Sequence, residues 1–434
     1  MYIHTVAPGQ SLSSIGQEYA VDPGLIARIN GLNPPYPLAV GQSLLILRPQ
    51  LLHVVRPGET LSSIARENGT TALQLLRNNP NLGGLAQLYA GEVLVIDYED
   101  APRRTVEVTG YAYPFVEESV LRGILPYATF LTPFTYGISA MLGLVNLEDE
   151  ALVRWATEYG VVPLMHLSTL TETGNFSSER ATQLLSNPAA QEILATAITA
   201  RMVQKGYGGL DVDFEFVGRE NAAAYAEFVG VLQRQVNALG YELIVALAPK
   251  SYATQPGALY EGHDYAALAQ NADGVLLMTY EWGYTYGPPL AVAPYASVRQ
   301  VLDYAVTEIP PEKIFLGFPN YAYDWTLPFV AGESRARSIS NPEAVDLAIA
   351  YGAVIQFDET ARTPYFNYTD AAGNLHEVWF EDVRSSNAKF DLVVEYGFRG
   401  LGYWNFMRPF VGNFSLLNAK FDIVNKGWTG NRMP

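Results

Sequence analysis

The chain contains no cysteine. That absence removes a disulfide framework, a thiolate zinc site, an iron–sulfur cluster and a cysteine nucleophile together. Cationic residues are also scarce: 27 Lys and Arg stand against 44 Asp and Glu, a net charge of −17. A phosphate backbone would be repelled by that excess, so nucleic-acid binding is not expected. Charged residues of all kinds make up only 16% of the 434, while hydrophobic residues make up 49%, which suits packed cores rather than a disordered polyanion. One charge-free stretch, 123–147, is interrupted by Pro126, Pro133, Gly137 and Gly143. It reads as a helix end followed by a buried strand, and no membrane span is expected. Met1-Tyr2-Ile3-His4 offers neither a basic nor an apolar leader segment, so a cleaved Sec signal peptide is not expected.

What is present begins with a repeat. His4-Thr5-Val6-Ala7-Pro8-Gly9-Gln10-Ser11-Leu12-Ser13-Ser14-Ile15 aligns with His53-Val54-Val55-Arg56-Pro57-Gly58-Glu59-Thr60-Leu61-Ser62-Ser63-Ile64 at an offset of 49 residues. Gly41-Gln42-Ser43-Leu44-Leu45-Ile46 aligns with Gly91-Glu92-Val93-Leu94-Val95-Ile96 at an offset of 50, so the second copy carries one extra residue. Each copy predicts a strand, a Pro-Gly turn, a helix opening near Ser11 or Thr60, a second helix ending near Asn30 or Asn79, and a closing strand. The copies are placed at 1–48 and 51–97. Residues 98–104 contain Pro and charge without apolar periodicity and read as a linker.

From Thr105 onward, β-branched and aromatic runs alternate with amphipathic segments. Eight runs are expected as strands: 106–113, 130–138, 162–167, 209–217, 243–248, 274–280, 314–319 and 400–406. Helical patterns occupy 178–205, 219–239 and 297–307 among others. Strands alternating with helices pair in parallel, because each helix returns the chain across the sheet. The expected fold is α/β, a (β/α)8 TIM barrel over 104–434 preceded by two βααβ units. The surplus length lies between the seventh and eighth runs, about 326–381. Strand-like pieces there at 351–357, 364–368 and 378–380, with a hairpin turn at 370–374, predict a small α+β insertion.

Gly208-Gly209-Leu210-Asp211-Val212-Asp213-Phe214-Glu215-Phe216 carries the chemistry. Strand alternation puts Asp211, Asp213 and Glu215 on one face, toward the barrel interior, and Val212, Phe214 and Phe216 on the other. Three like charges along one buried strand raise one another's pKa. Catalysis, a carboxylate metal site and a structural acid ladder all fit such a row. No histidine lies nearby in sequence, and His4, His53, His166, His263 and His376 show no paired ligand spacing, which favours catalysis with no metal. The histidines are expected to be surface or satisfied residues. Glu215, nearest the strand's C-terminal end, is the natural general acid, kept protonated by Asp213. Aromatics after the sixth and seventh runs, Trp282, Tyr284, Tyr286, Tyr321, Tyr323 and Trp325, suit a sugar cleft, with about half expected in the core.

The two repeats resemble LysM domains, which implies binding of N-acetylglucosamine in peptidoglycan or chitin. The barrel resembles glycoside hydrolase family 18, whose fourth strand reads Asp-x-x-Asp-x-Asp-x-Glu. Asp211, Asp213 and Glu215 match it and Gly208 departs from it. Gly110-Tyr111-Ala112-Tyr113, Met278-Thr279-Tyr280-Glu281 and Tyr403-Trp404 match further family positions, with Glu281 in place of an Asp. The resemblance implies substrate-assisted retaining hydrolysis without a cofactor: Glu215 as acid and then base, Asp213 orienting the substrate acetamide, Asp211 sharing a proton with Asp213, and Tyr280 bonding the acetamide oxygen. It further implies a substrate-binding set of Trp404 as floor, Tyr111, Met278, Glu281, Trp282 and Tyr321. The Ser-x-Gly-Gly turn usual in the family's chitinases is absent from 165–170. The layout instead resembles the spore cortical fragment-lytic group, which implies N-acetylglucosaminidase action on cortex glycan containing muramic-δ-lactam, in the spore coat or cortex. A chitinase and a non-catalytic lectin are the alternatives, an extracytoplasmic wall location is the alternative site, and a monomer is expected. Removing residues 1–97 is expected to weaken attachment to insoluble wall and spare cleavage of soluble fragments.

Overall fold

A computed structural model describes residues 1–99 and 104–430. The linker expected at 98–104 falls largely outside the described residues, as does the end of the 104–434 region. The first repeat forms a strand (Tyr2–Thr5), two helices (Leu12–Tyr19 and Pro23–Asn30) and a closing strand (Ser43–Ile46) antiparallel to the first. The second forms the same order: Pro49–Val54, Leu61–Glu67, Ala72–Asn78 and Val93–Tyr98.

The shared motif residues explain why both copies fold alike. Ser11 and Thr60 each close a capping box with Ser14 and Ser63, so the first helix starts there in both. Asn30 donates to the Ile26 and Leu45 carbonyls and accepts from the Leu45 N–H. Asn79 does the same with Leu75 and Val95. One side-chain amide, half-buried at Asn30 and buried at Asn79, thus ties the second helix to the closing strand in each copy and satisfies backbone groups that apolar side chains would leave unpaired.

Eight strands close the barrel: Arg104–Ala112, Phe130–Pro133, Val162–Ser168, Gly209–Asp213, Glu242–Leu247, Gly274–Leu277, Ile314–Pro319 and Gly400–Trp404. All neighbours pair in parallel, and Gly400–Tyr403 against Glu107–Gly110 completes the ring. Three local expectations are corrected. The second run stops at Pro133, and Gly137–Ile138 turns into a separate hairpin with Leu144–Val145. The 178–205 helix is two, Ser178–Leu185 and Pro188–Lys205, because Asn187 caps a new start with Pro188 in its first turn. Phe216 does not continue the outward face of the fourth strand; it has φ +54° and is exposed, so the chain turns immediately after Glu215.

The insertion is a five-stranded antiparallel sheet in the order Arg337–Ile339, Ala322–Leu327, Leu375–Trp379, Thr363–Thr369, Gln356–Asp358, with one helix, Asn341–Ala350. The expected strand at 351–357 is confined to Gln356–Asp358. The expected turn at 370–374 is present, where the Asp370 carboxylate accepts from the Ala372 and Asn374 N–H groups and Gly373 takes φ +89°.

The repeats are docked, not tethered. The first unit's Leu25, Ile26, Leu44 and Ile46 belong to the same buried core as Phe410, Phe414 and Leu417 of the barrel. Its Val40 carbonyl accepts from Ile355 N–H of the insertion. In the second unit, buried Arg77 donates to the carbonyls of Pro126 (2.6 Å) and Ile423 (3.1 Å). Both units therefore share buried surface with the barrel, and removing residues 1–97 uncovers part of the barrel's own core.

Candidate active site

The acid row sits where the fourth strand meets the barrel mouth. Asp211 and Asp213 are buried, 1% and 6% exposed, whereas Glu215 is partly open to solvent beyond the strand's last residue. Val212 and Phe214 face outward into the helical layer, Phe214 stacking on Tyr225 with ring centroids 5.4 Å apart. His263 fixes the next step of the chain: Nε2 bonds the Phe214 carbonyl at 2.9 Å and Nδ1 accepts the Ala248 N–H at 2.8 Å. Glu215 therefore projects from a backbone tied, at Phe214, to the end of the neighbouring fifth strand.

Burial pushes the Asp211 carboxyl up to about 6; His166 and the Tyr111 hydroxyl oppose the rise, and Asp213 adds to it. Glu215 is pushed up to about 8, first by burial and then by the charges of Asp213 and Glu281. At neutral pH it holds its proton. Tyr280 stays a phenol far above its usual range, by burial and by the charges of Asp213, Glu215, Glu281 and Asp211. It can only present a hydroxyl to whatever enters.

Trp404 ends the eighth strand and is half-buried, its ring 5.4 Å from Tyr111 and 5.0 Å from Phe134. Met278 packs half-buried in the same neighbourhood, beside the group containing Tyr280 and Tyr321. Glu281, at φ +68°, turns its carboxylate to the hydroxyls of Tyr321 and Tyr323, the latter at 3.1 Å. Partial desolvation raises its pKa and the two tyrosines oppose that. Asp211, Asp213, Glu215, Tyr111, Tyr280, Trp404, Met278 and Glu281 thus converge on one mouth. Tyr321 stands behind Glu281, and Trp282 is half-buried against the barrel core, its backbone N–H donating to the Val292 carbonyl. The aromatics divide: Tyr321, Tyr323 and Trp325 are buried, Tyr284 and Tyr286 exposed.

Gly208 is explained by packing. A Cβ there would lie 2.6 Å from Val162 Cγ1 and 2.9 Å from the Trp428 ring, so the position is packed tightly against the third barrel strand and the C-terminal segment.

One functional neighbour escaped the sequence reading. His4, His53, His263 and His376 each bond a defined partner, as expected. His166 is satisfied on one side only, where Nδ1 bonds Thr135 Oγ1 at 2.5 Å. It is fully buried, and its Nε2 lies 3.8 Å from Asp211 and 3.7 Å from Asp213 without a hydrogen bond. Adjacent-strand register pairs Asp211 with His166. The third run is apolar on both faces, so its parity was not readable from sequence alone.

An eight-stranded barrel with buried acids at its C-terminal mouth and an aromatic floor defines a class of sugar-cleaving enzymes, and the family model agrees. Residues 167–408 match Glycosyl hydrolases family 18, so the chain belongs to that family and is a glycoside hydrolase; residues 4–47 and 53–97 match the LysM domain. The chain is 38% identical to the cortical fragment-lytic enzyme of Bacillus subtilis (strain 168), over 98% of this chain and 99% of that one. It is similar in structure to the Bacillus cereus spore cortex-lytic enzyme SleL, with a TM-score of 0.83, 35% identity and 98% and 99% of the two chains covered. A chitinase from Chromobacterium violaceum ATCC 12472 is similar with a TM-score of 0.67 and 25% identity; 98% of it aligns with 72% of this chain.

Proposed function

We propose that this chain is a β-N-acetylglucosaminidase that hydrolyses fragments of spore cortex peptidoglycan by substrate-assisted, retaining catalysis. The observation that carries the reading is the near-complete overlap with a cortical fragment-lytic enzyme, LysM pair included. The chitinase has no counterpart to more than a quarter of this chain, which supports cortex over chitin as the substrate.

Glu215 is the acid because it combines reach into the mouth with a proton retained at pH 7. It donates that proton to the glycosidic oxygen as the bond to C1 breaks, and the substrate's own acetamide oxygen bonds C1 from the opposite face. Asp213 accepts the acetamide N–H and stabilises the cyclic cation. Tyr280 donates to the acetamide oxygen, and Asp211 takes up proton density released by Asp213. The Glu215 carboxylate then removes a proton from water, whose oxygen bonds C1 and restores the acetamide with net retention. Trp404 supplies the floor on which the sugar stacks. This path uses no enzyme nucleophile, the recognised exception to two-carboxylate hydrolysis. Tyr111, Met278, Glu281, Trp282 and Tyr321 shape the sugar pocket, and the LysM pair takes the N-acetylglucosamine of the glycan, next to muramic-δ-lactam. The site of action is the spore.

The test is mass spectrometry of products from wild type and Glu215→Gln on solubilised cortex fragments and, separately, on chitin oligosaccharides. New N-acetylglucosamine reducing ends from cortex alone, lost in the variant, support the reading. Cleavage of chitin in preference to cortex makes the chain a chitinase, and cleavage of neither makes it a lectin.

A further inference from the structure

Three neighbouring buried side chains leave four polar atoms without a hydrogen-bond partner, His166 Nε2, both Asp211 carboxylate oxygens and Asp213 Oδ1, and Nε2 lies 3.8 Å from Asp211 Oδ2 and 3.7 Å from Asp213 Oδ2, with the Tyr111 hydroxyl beside Asp211. Buried groups are ordinarily paired, and a cluster of exceptions asks for a reason. The surroundings sharpen it. His166 Nδ1 lies 2.5 Å from Thr135 Oγ1, and the Thr135 hydroxyl donates to the Tyr136 carbonyl at 2.9 Å. With that hydrogen committed, Nδ1 is the donor to Thr135, and Nε2 is left aimed at the two aspartates. Rings close the other sides: Tyr111 edge-on at 5.5 Å and Phe134 at 4.8 Å, with Ser168 bonded to Thr135 beneath. The charged or titratable groups facing the imidazole are Asp211 and Asp213 from the fourth strand and the Tyr111 phenol from the first. No lysine or arginine joins them among these contacts.

A bare Nε2 lone pair facing two carboxylates that are only 1% and 6% exposed is repulsive, and a proton shared among the three groups relieves it. We propose that His166 is a positioning residue of the reaction, forming with Asp211 and Asp213 a single proton-sharing set that keeps Asp213 anionic as the positive intermediate develops. The inference rests on the reading of Glu215 and Asp213 given above. In the resting site the proton is held between Asp213 and its two partners. When the substrate acetamide N–H bonds Asp213, that proton moves to His166 Nε2 or Asp211, and the net charge of the set is unchanged. His166 makes and breaks no bond to substrate. The separations of 3.7 and 3.8 Å shorten as the set tightens around the bound sugar.

The experiment measures kcat and KM against pH on solubilised cortex fragments for wild type, His166→Asn, His166→Gln and Glu215→Gln. Asn keeps the bond to Thr135 and presents nothing to the aspartates; Gln reaches them with a neutral amide. In His166→Asn, kcat falls about 10- to 100-fold while KM changes less than about threefold. The acidic limb of kcat moves up by about one pH unit, because the group opposing the Asp211 rise is gone. His166→Gln recovers part of kcat without restoring the limb. A purely structural histidine predicts the reverse, with His166→Asn keeping the wild-type pH profile, and that result overturns the proposal. A second readout, with His166 itself unchanged, is 15N NMR of histidine-labelled wild type and Asp211→Asn: the His166 Nε2 signal responds differently to pH in the two if the proton is shared, and an identical response overturns the idea. Full turnover by Glu215→Gln would instead overturn the underlying catalytic reading, so the two failures are distinguishable.

Discussion

The two ends of the barrel solve the same electrostatic problem in opposite ways. At the N-terminal end, Glu107 and Glu242 meet Arg399 and Lys426: Arg399 is 2.5 Å from Glu107 and also pairs Glu242, and Lys426 is 3.0 and 2.7 Å from the two acids. Two negative charges are balanced by two positive ones, with Phe130 and Phe315 flanking the cations. At the C-terminal end, Asp211 and Asp213 face one histidine, and Glu215 lies within the charge of Asp213 and Glu281. The consequence is visible in proton affinity. Arg399 and Lys426 overcome the burial of Glu242 and hold it below the usual carboxylate range, while burial with like charges drives Glu215 up to about 8. A compensated acid cluster stabilises a fold; an uncompensated one is maintained at a cost to stability and is placed where protons move.

The largest break in this comparison comes from exchanging one atom at the mouth. Glu215→Gln keeps shape and hydrogen bonding and removes the transferable proton, so turnover on cortex fragments falls about a thousandfold with folding by circular dichroism intact. At the opposite end, Arg399→Met leaves Glu107 and Glu242 with Lys426 alone. Both acids retain some solvent contact, 17% and 35% exposed side chains, so the loss is about 2 kcal/mol rather than the full cost of stranding a buried charge. Denaturant unfolding measures it, and kcat well below the transition stays within about twofold. A thousandfold loss of kcat in a folded Arg399→Met would end the division into a structural and a chemical end.

The mouth was partly legible in sequence and the N-terminal end of the barrel was not. Asp211, Asp213 and Glu215 announce themselves by alternating with Val212 and Phe214, a pattern that fixes which way the acids face once a strand is assumed. The capping residues Ser11 and Thr60 and the tying amides Asn30 and Asn79 were legible because a repeat displays them twice. Glu107 and Glu242 each lie more than a hundred residues from Arg399 and Lys426 and meet them only when the barrel closes, so no local spacing betrays them. His166 was hidden for a related reason. Its strand is buried on both faces, and alternation carries no parity where every residue is buried. The insertion's Ala322–Leu327 strand was obscured by Tyr321, Tyr323 and Trp325, which suit a cleft loop and a buried strand equally well.

A subtler cut sharpens the account of the mouth. Glu281 is one of the two charges that raise Glu215, so Glu281→Gln lets Glu215 ionise more easily. The alkaline limb of kcat/KM, set near pH 8 by loss of the Glu215 proton, moves down by about half a pH unit to one unit in that variant. A limb unmoved by Glu281→Gln means that burial and Asp213 alone account for the proton's retention.

The smallest effect compares the two ends through stability. For Glu215 the folded pKa lies above its unfolded value, so the unfolded chain releases the proton first as pH rises and the folded state loses stability between about pH 4.5 and 8. Glu215→Gln escapes that loss and is more stable than wild type at pH 8 by about 1–2 kcal/mol, with no advantage at pH 4, where both are uncharged. Glu242 has the opposite sign. Its lowered folded pKa contributes stability that is present above the unfolded value and lost as pH falls through the folded one. Glu242→Gln therefore destabilises at pH 7 by less than about 1 kcal/mol, given the solvent screening of that side chain, and is neutral once the medium is acid enough to protonate the glutamate in both states. Urea unfolding of both variants at pH 4 and pH 8 reads the two signs in one experiment. Equal signs would mean that the charge balance differs less between the two ends than the ion pairs suggest.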